Sequence, residues 1–483
     1  MKSIKNLLFT SSIYDKNTPV LINNENSLTP FELELSLNRY AHTLKSSGVS
    51  KGELVPILLD NNINFIVTVI SLWRVGAVPV PLSTKQLNSE LFAKLDFLNS
   101  RLLITDNLFN GLNAKSIRTI SVPSKDFNKH ELVEHNTPGE EEIAVIIFTS
   151  GSSSKPKAVQ LSFRNLFAGA LASDQLLKHT ESDKWLASLP FFHIGGFSIL
   201  TRSLIFGIPV ILPEDIDAKS ISVSIEKFHP TLISLVAAQL SELLKIDFEF
   251  SSIKNCLIGG GPSSSSLMTE AINKGWKVSK VYGSTETSAM VAGFSVNDYP
   301  EKINSSGKIF DDVKIRIVDE SGKELSSNNE GEIHIKSDSV MPGYLNNPEL
   351  TSQLLVDGLY HTGDFGYLDD EGFLFITSRR SDIIVTGGEN VNTFEVENVI
   401  LSNEYVSETS VVGIADEKWG QVVCAAVVLK NNFSLSESEL KIFLKENLAS
   451  FKIPKKFIFI DELPKSPLSK IEKEKIRAMF TVE

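Results

Sequence analysis

The stretch "EEIAVIIFTSGSSSKPKAVQLS", residues 141–162, joins an apolar run to a segment rich in serine, glycine and lysine. The apolar run predicts a buried strand, and a helix is predicted to begin near Ser162. Backbone N–H groups of a tight loop in that position, with Lys155 and Lys157, can surround a polyphosphate. The loop lacks the spacing of a Walker A motif, so a solvated serine-rich linker is the alternative interpretation.

Strands and helices alternate on both sides of this stretch. Residues 29–48, "TPFELELSLNRYAHTLKSSG", predict a helix, because Thr29 and Glu32 have capping-box spacing and Pro30 follows the cap. Buried strands are predicted in "LVPILLD" (54–60), "AVPVPL" (77–82), "RLLITD" (101–106), "GIPVILPE" (207–214), "PTLISLV" (230–236), "SIKNCLIGGGP" (252–262) and "KVSKVYGSTE" (277–286). Several of these strands end in glycine-rich or polar loops, where ligands of α/β sheets gather.

The pattern predicts an α/β protein with two domains. From about Gly307 short alternating strands indicate an antiparallel subdomain within the first domain. A small α+β unit follows from Ser381. We therefore expect a large N-terminal domain of layered sheets over 1–380 and a small C-terminal α+β domain over 381–483.

Composition limits the classes of function. The 483 residues are 42% hydrophobic and 22% charged, as in globular proteins, and the net charge of −12 argues against nucleic-acid or anionic-membrane partners. Neither a signal peptide nor a membrane span is recognisable, which favours a soluble cytoplasmic protein. Cys256 and Cys424 lie in apolar segments and are predicted to be buried and unpaired. The sequence is compatible with an oligomer but does not define the number of subunits.

The string "TSGSSSKPKAV", residues 149–159, resembles the phosphate loop of the adenylate-forming superfamily, which includes acyl-CoA synthetases, luciferases and adenylation domains. The resemblance implies that the loop binds ATP through Thr149, Ser150, Gly151, Ser152, Ser153 and Lys157. Ser154 and Ala158 replace family glycines, which puts the shape of the loop in doubt because glycine accepts positive φ at little cost.

Two further strings match the superfamily in chain order. "YGSTETS" (282–288) implies that Tyr282 and Gly283 line the adenine pocket, that Thr285 contacts the α-phosphate and that Glu286 holds Mg²⁺. "YHTGDFGYLDDEGFLFITSRRSDIIVTGGENV" (360–391) implies that Asp364 binds the ribose, with Arg379 nearby. Taken alone, "YGSTETS" is also typical of an ordinary turn. Asp364 alone is also typical of a turn residue and Arg379 of a surface ion pair, but the full string argues against these alternatives.

The resemblance also implies a moving C-terminal domain. It places the hinge at Ser381 or Asp382 and a thiol-channel loop at 387–391. "LPKSPLSKIEKEKI" (463–476) implies that Lys470 is the adenylation lysine, although Ser469 replaces a family glycine. A solvated lysine is the ordinary alternative in a basic tail.

Two segments concern the acid substrate. "SLPFFHIGGFSIL" (188–200) and "LIGGGPSSSSL" (257–267) resemble the o-succinylbenzoate–CoA ligases of menaquinone biosynthesis. They imply a substrate pocket lined by His193, Gly195, Gly259 and Ser284, with Gly260 and Gly261 next to the nucleotide. A structural role for His193 is an equal alternative. Arg202 is a weak candidate for the second carboxylate of such an acid, since a surface arginine is the more common case.

The resemblance therefore implies an ATP-dependent acid–CoA ligase that uses Mg²⁺ and CoA and forms an acyl-adenylate and then a thioester. A medium-chain fatty acyl or aryl CoA ligase is the alternative within the class, and an enzyme that loads a separate carrier protein is a further one. A non-catalytic nucleotide-binding protein is the alternative from another class. Together, Lys157, Thr285, Glu286, Asp364 and Lys470 argue for catalysis.

Overall fold

The computed structural model describes most of the chain. The described residues are 3–9, 14–106, 118–120, 136–149, 157–261, 263–379, 383–386, 389–416, 419–430, 433–465 and 471–481. Contacts between Cα atoms divide the chain into two compact units. The first contains 1–314 and 335–360, and the second contains 315–334 and 361–483.

Local signals set the ends of many helices. The Thr29 hydroxyl accepts from Glu32 N while the Glu32 carboxylate accepts from Thr29 N, which confirms the predicted capping box. The helices are α1 (Pro30–Ser46), α2 (Ile63–Val75), α3 (Asn88–Phe97), α4 (Phe163–Leu177), α5 (Ile194–Phe206), α6 (Ala218–Phe228), α7 (Ala237–Leu243), α8 (Ser265–Asn273), α9 (Pro348–Leu354), α10 (Thr393–Leu401), α11 (Glu437–Asn447) and α12 (Lys473–Thr481).

The strands follow the predicted alternation with the helices. They are β1 (Leu21–Ile22), β2 (Ser27–Leu28), β3 (Leu54–Leu58), β4 (Val78–Pro81), β5 (Leu102–Thr105), β6 (Arg118–Ile120), β7 (Ile143–Thr149), β8 (Lys157–Ser162), β9 (Trp185–Leu186), β10 (Val210–Ile211), β11 (Leu232–Leu235), β12 (Asn255–Ile258), β13 (Val278–Tyr282), β14 (Ala292–Ser295), β15 (Gly307–Ile309), β16 (Lys314–Val318), β17 (Gly331–Lys336), β18 (Gly343–Tyr344), β19 (Leu355–Val356), β20 (Leu359–Leu368), β21 (Phe373–Arg379), β22 (Ile383–Thr386), β23 (Glu389–Asn392), β24 (Val406–Asp416), β25 (Gly420–Leu429) and β26 (Lys456–Phe459).

The first unit contains three sheets. Its largest sheet has the order β15-β14-β13-β12-β11-β9-β10-β1-β2, and β9 to β13 run parallel there. A parallel sheet has the order β4-β3-β5-β6, and an antiparallel sheet has the order β18-β8-β7. The carboxyl ends of β12 and β13 therefore lie side by side, where α/β sheets bind ligands.

The second unit is a smaller α+β body. Its strands β16, β17, β20 and β21 are neighbours in that order, and β23, β22, β25 and β24 form another sheet with β26 beside β25. Side chains alternate between the faces of β24 and β25: Val411 packs with α10 and α11, and Val412 packs with Ile476 of α12. These findings confirm the predicted mixed α/β fold with a large and a small part.

Two details differ from the sequence interpretation. Residues 157–162 form strand β8, which pairs antiparallel with β7, so part of the predicted loop is sheet. Residues 315–334 and 361–379 group with the C-terminal unit. The predicted hinge residues Ser381 and Asp382 lie outside the described residues, and the boundary at 381 stays a prediction.

Both cysteines are free and buried, as predicted. Burial raises the pKa of the Cys424 thiol to about 11, so this thiol is protonated and unreactive at neutral pH. Within the described residues, the helices are too short or too polar to cross a membrane.

Candidate active site

The predicted phosphate loop connects two paired strands. Thr149 ends β7 opposite Lys157, which begins β8, and the Thr149 hydroxyl donates to Lys157 O at 3.5 Å. Helix α4 then begins after Ser162, whose hydroxyl accepts from Asn165 N, as the sequence predicts. Ser150, Gly151, Ser152, Ser153 and Ser154 lie outside the described residues.

The turn after β13 brings together the predicted metal and nucleotide residues. Gly283 has no room for a side chain, because a Cβ at this position would lie 1.9 Å from Ala289 O. Ser284 N donates to the Thr287 hydroxyl at 2.9 Å, and Ala289 N donates to Ser284 O at 3.1 Å. The chain passes through Ser288 with a positive φ of 53°. This folded turn holds Thr285 and Glu286 directly beyond the sheet edge.

The Glu286 carboxylate is held by a residue that the sequence analysis missed. The Tyr344 hydroxyl donates to Glu286 Oε1 at 2.9 Å, and Met341 N donates to Glu286 O at 2.8 Å. Burial, and then the neighbouring Glu286 and Tyr360, raises the pKa of Tyr344, which therefore stays protonated as a donor. A buried tyrosine hydroxyl usually has a partner, but the sequence does not say which one.

The oxygen atoms of this turn fit a magnesium nucleotide. The Ser284 hydroxyl oxygen is shielded from solvent and has no hydrogen-bond partner among the described residues. Glu286 Oε2 forms no hydrogen bond with another described residue, since Tyr344 contacts only Oε1. Hydroxyl and carboxylate oxygens are ligands that Mg²⁺ and its phosphates prefer. The oxygen atoms of Ser284 and Glu286 are therefore suitable for the predicted magnesium nucleotide.

The neighbouring turn after β12 is open. Gly259 N donates to Leu235 O at 3.3 Å, and a Cβ at Gly259 would lie 2.7 Å from Val281 Cγ2. Gly260 has a φ of 81°, which favours glycine. A Cβ at Gly261 would meet nothing within 4 Å. This turn is therefore open at Gly261 and closely packed at Gly259.

His193 caps the start of α5 beside a tightly packed backbone. His193 N donates to Pro190 O at 3.1 Å, and its ring lies 4.4 Å from the ring of Phe192. Asn61 fixes the preceding segment by donating to Leu189 O at 2.7 Å and accepting from Phe191 N at 2.9 Å. A half-buried His193 at this helix start is compatible with substrate contact. Gly195, two residues later in α5, lies close to the Leu189 side chain.

Arg202 is buried, which corrects the expectation of a surface arginine. It is 2% exposed, and the guanidinium carbon lies 5.8 Å from the centre of the Trp185 ring. Arg202 Nε and Nη2 have no hydrogen-bond partner among the described residues, and burial lowers the Arg202 pKa to about 9. Helix α5 rises about 13 Å between His193 and Arg202, so the two side chains are not adjacent along it.

In the second unit, Asp364 and Arg379 are cross-strand partners. They face each other in the ladder of β20 and β21, and Asp364 N donates to the Thr362 hydroxyl at 3.0 Å. The Thr362 hydroxyl in turn donates to Ile333 O at 2.8 Å. The ladder thus brings the two predicted ribose residues together in the backbone. The structure does not describe the Arg379 side chain or Lys470.

Comparisons with known proteins agree with this arrangement. The AMP-binding enzyme family matches residues 12–345, and the AMP-binding enzyme C-terminal domain matches 395–470. The 2-succinylbenzoate–CoA ligase of Bacillus cereus is 34% identical over 483 residues, 99% of each chain, and that of Listeria monocytogenes is 35% identical over 448 residues, 92% of this chain and 93% of the other.

A solved structure extends the similarity to the fold. The o-succinylbenzoate CoA synthetase (MenE) of Bacillus subtilis, in complex with the acyl-adenylate intermediate OSB-AMP, has 34% identity and a TM-score of 0.90, covering 99% of this chain and 98% of that one. Sequence motifs, fold and full-length relatives agree. The chain therefore belongs to the AMP-binding enzyme family.

Proposed function

We propose that this chain is a 2-succinylbenzoate–CoA ligase of menaquinone biosynthesis. It would convert the acid, ATP and CoA into 2-succinylbenzoyl-CoA, AMP and pyrophosphate. The observation that carries the proposal is the pairing of two turns at neighbouring strand ends: the oxygen-rich turn at Glu286 and the turn after β12, which is open at Gly261. Relatives named for this reaction match the whole chain at 34% identity, which supports the choice of acid.

The reaction has two steps. A carboxylate is a poor acyl donor, so one of its oxygens first attacks the α-phosphorus of ATP, and the bond from that phosphorus to pyrophosphate breaks. The CoA thiol, having lost its proton, then attacks the acyl carbon, and the bond from that carbon to AMP breaks. Phosphoryl transfer of this kind depends mainly on positioning and on charge stabilisation.

The first unit supplies the groups around the phosphates. Thr285 and the shielded Ser284 hydroxyl would donate to phosphate or acid oxygens, and Glu286 would hold Mg²⁺ through Oε2. Mg²⁺, when bound, neutralises charge on the phosphates and orients them. Lys157, with Thr149 and the segment 150–153, contacts the β- and γ-phosphates. Tyr282 and Gly283 line the adenine, with Gly260 and Gly261 at the neighbouring strand end.

The second unit supplies the remaining groups. Asp364 binds the ribose hydroxyls with Arg379 beside it, and Lys470 stabilises charge on the leaving pyrophosphate in the first step. Removing one such preorganised donor typically reduces the rate by roughly 10²- to 10³-fold. Because Lys470 acts on pyrophosphate, we expect Lys470→Ala to abolish adenylate formation and to spare thioester formation from supplied acyl-AMP. Equal loss of both steps would contradict this role.

The acid lies at the turn after β12, which contains Gly259, between His193 and the turn after β13. Ser284 and Gly195 complete this pocket. The second carboxylate of the acid needs a cation or polar donors, since a buried charge without partners is costly. Arg202 Nε and Nη2 have no hydrogen-bond partner among the described residues. Because Arg202 lies further along α5, it can bind the second carboxylate only if the acid extends past His193.

The test is a direct assay of the purified full-length chain with Mg-ATP, CoA and 2-succinylbenzoate. We expect acid-dependent AMP release and 2-succinylbenzoyl-CoA, identified by mass. A panel of medium-chain fatty and aryl acids, read by pyrophosphate release, ranks the alternatives. Stronger turnover of another acid would overturn the choice of substrate. ATP binding without pyrophosphate release for any acid would overturn the enzymatic function.

A further inference from the structure

A single segment of the first unit contacts Glu286 twice. Its tyrosine hydroxyl, on Tyr344, donates to Glu286 Oε1 at 2.9 Å, and Met341 N donates to the Glu286 backbone oxygen at 2.8 Å. Tyr344 is 4% exposed, so its hydroxyl cannot exchange this partner for bulk water. The segment 338–344, here called the clamp, therefore holds both the backbone and the side chain of this glutamate.

The clamp is itself anchored in the same unit. Asn165 Nδ2 donates to Asp338 O and to Val340 O, each at 2.8 Å, and the Ser288 hydroxyl donates to Ser339 O at 2.9 Å. These bonds come from the first turn of α4 and from the turn that carries Glu286. They fix the course of the clamp independently of the tyrosine.

The tyrosine backbone is fixed as well. Tyr344 pairs with Val159 in the ladder of β18 and β8, and Tyr344 N donates to the Thr351 hydroxyl at 2.9 Å. Strand β8 begins at Lys157, the proposed phosphate lysine. The backbone of Tyr344 is thus paired with the strand that follows the proposed phosphate loop.

A hydrogen bond to one carboxylate oxygen selects the rotamer of the side chain. An unsupported glutamate loses side-chain entropy when it is fixed in place. The bond from Tyr344 to Oε1 fixes the carboxylate before any ligand arrives. It also leaves Oε2 as the oxygen available to a cation.

We propose that Tyr344 is a positioning residue that orients Glu286 for the metal of the nucleotide. This inference rests on the proposed function, because Glu286 is the metal-binding residue there. Tyr344 does not touch the reacting atoms. It acts through the angle of the Glu286 carboxylate, so its loss weakens metal binding more than it slows the chemical step at saturating metal.

The test compares Tyr344→Phe with Tyr40→Phe in the full chain. Both changes remove one hydroxyl from a buried tyrosine ring, and Tyr40 lies in α1, with 1% exposure. For Tyr344→Phe we expect the Mg²⁺ concentration for half-maximal pyrophosphate release to rise about tenfold, as for a lost hydrogen bond to a charged group. The kcat at saturating Mg²⁺ should fall less than about threefold, and Tyr40→Phe should change neither value.

A second readout does not depend on turnover. Mn²⁺ binding in the presence of α,β-methylene-ATP, followed by electron paramagnetic resonance, should weaken about tenfold in Tyr344→Phe. In a Glu286→Gln background the same change should have no further effect, because the carboxylate through which it acts is gone. Unchanged metal affinity, or an additive loss in the double variant, would overturn the proposal.

Asn165→Asp provides a second variant. It keeps an oxygen to accept from Ser162 N and removes both bonds donated to the clamp. We expect a smaller rise in the Mg²⁺ concentration for half-maximal pyrophosphate release, and no rise would contradict the anchoring role.

The two proposals, the ligase function and the clamp, can fail separately. A chain that is inactive with every acid refutes the ligase function, whereas an active chain with unchanged metal affinity in Tyr344→Phe refutes only the clamp.

Discussion

Two turns at the ends of neighbouring strands are built in opposite ways. After β13, Gly283 is so crowded that a Cβ would lie 1.9 Å from Ala289 O, and Tyr344 holds the Glu286 carboxylate. After β12, Gly261 is exposed and a Cβ there would meet nothing within 4 Å. The turn proposed to hold metal and phosphate is therefore preorganised, whereas the turn proposed to face the acid keeps open space at Gly261.

The difference has a chemical reason. Charge stabilisation during phosphoryl transfer requires oxygens and donors that are already in place, because reorganising them would add to the barrier. A planar acid requires mainly room and a few polar contacts. We therefore expect substitutions of Gly283 and Glu286 to affect every acid equally and a substitution of Gly259 to affect the choice of acid.

The largest expected effect is that of Glu286→Gln. Removing the charge from the turn after β13 should reduce acid-dependent pyrophosphate release by roughly 10²- to 10³-fold, about 2.7–4 kcal/mol of barrier. The shape of the side chain is kept, so the thermal midpoint should change little. Activity within threefold of the unmodified chain would contradict the proposal that Glu286 binds the metal.

Gly283→Ala tests how rigid the same turn is. The new Cβ would overlap the Ala289 backbone oxygen, and overpacking of this kind costs about 1–3 kcal/mol. We expect a lower urea midpoint and weaker nucleotide binding, measured by calorimetry with an ATP analogue. An unchanged urea midpoint would show that the backbone at Gly283 accommodates the methyl group. The turn after β13 would then be no more rigid than the turn after β12.

Gly259→Ala tests the specificity of the open turn. Its Cβ would approach Val281 Cγ2 at 2.7 Å, and a valine methyl can move more easily than backbone. One added methyl in a pocket is worth about 1 kcal/mol, so the KM for the acid should rise roughly fivefold. The KM for ATP should not change. Equal changes in both constants would contradict a role in acid selection.

Gly261→Ala is the matched control and the smallest expected effect. An alanine at this exposed position meets open space and should change stability by less than about 0.5 kcal/mol. The urea midpoint should match that of the unmodified chain. A loss comparable to that of Gly283→Ala would show that the turn after β12 is less open than its geometry indicates.

Much of the fold could be predicted because its signals are local. The capping boxes of α1 and α4 join residues three positions apart, and alternation of apolar strands with helices indicates α/β layers. Strand β8 was missed, since its pairing with β7 is visible only when the two segments are folded together. Pattern alone also gives no reason for the burial of Arg202, which depends on the packing around α5.

The order of the motifs and the residue types expected to bind a nucleotide are readable from the sequence, because those matches are strings of adjacent residues. The bond that Tyr344 donates to Glu286, 58 positions away, is visible only in the folded chain. The tertiary structure also decided that one strand end would be crowded and its neighbour open. Contacts between distant segments depend on how whole elements pack, and no local pattern of residues encodes their geometry.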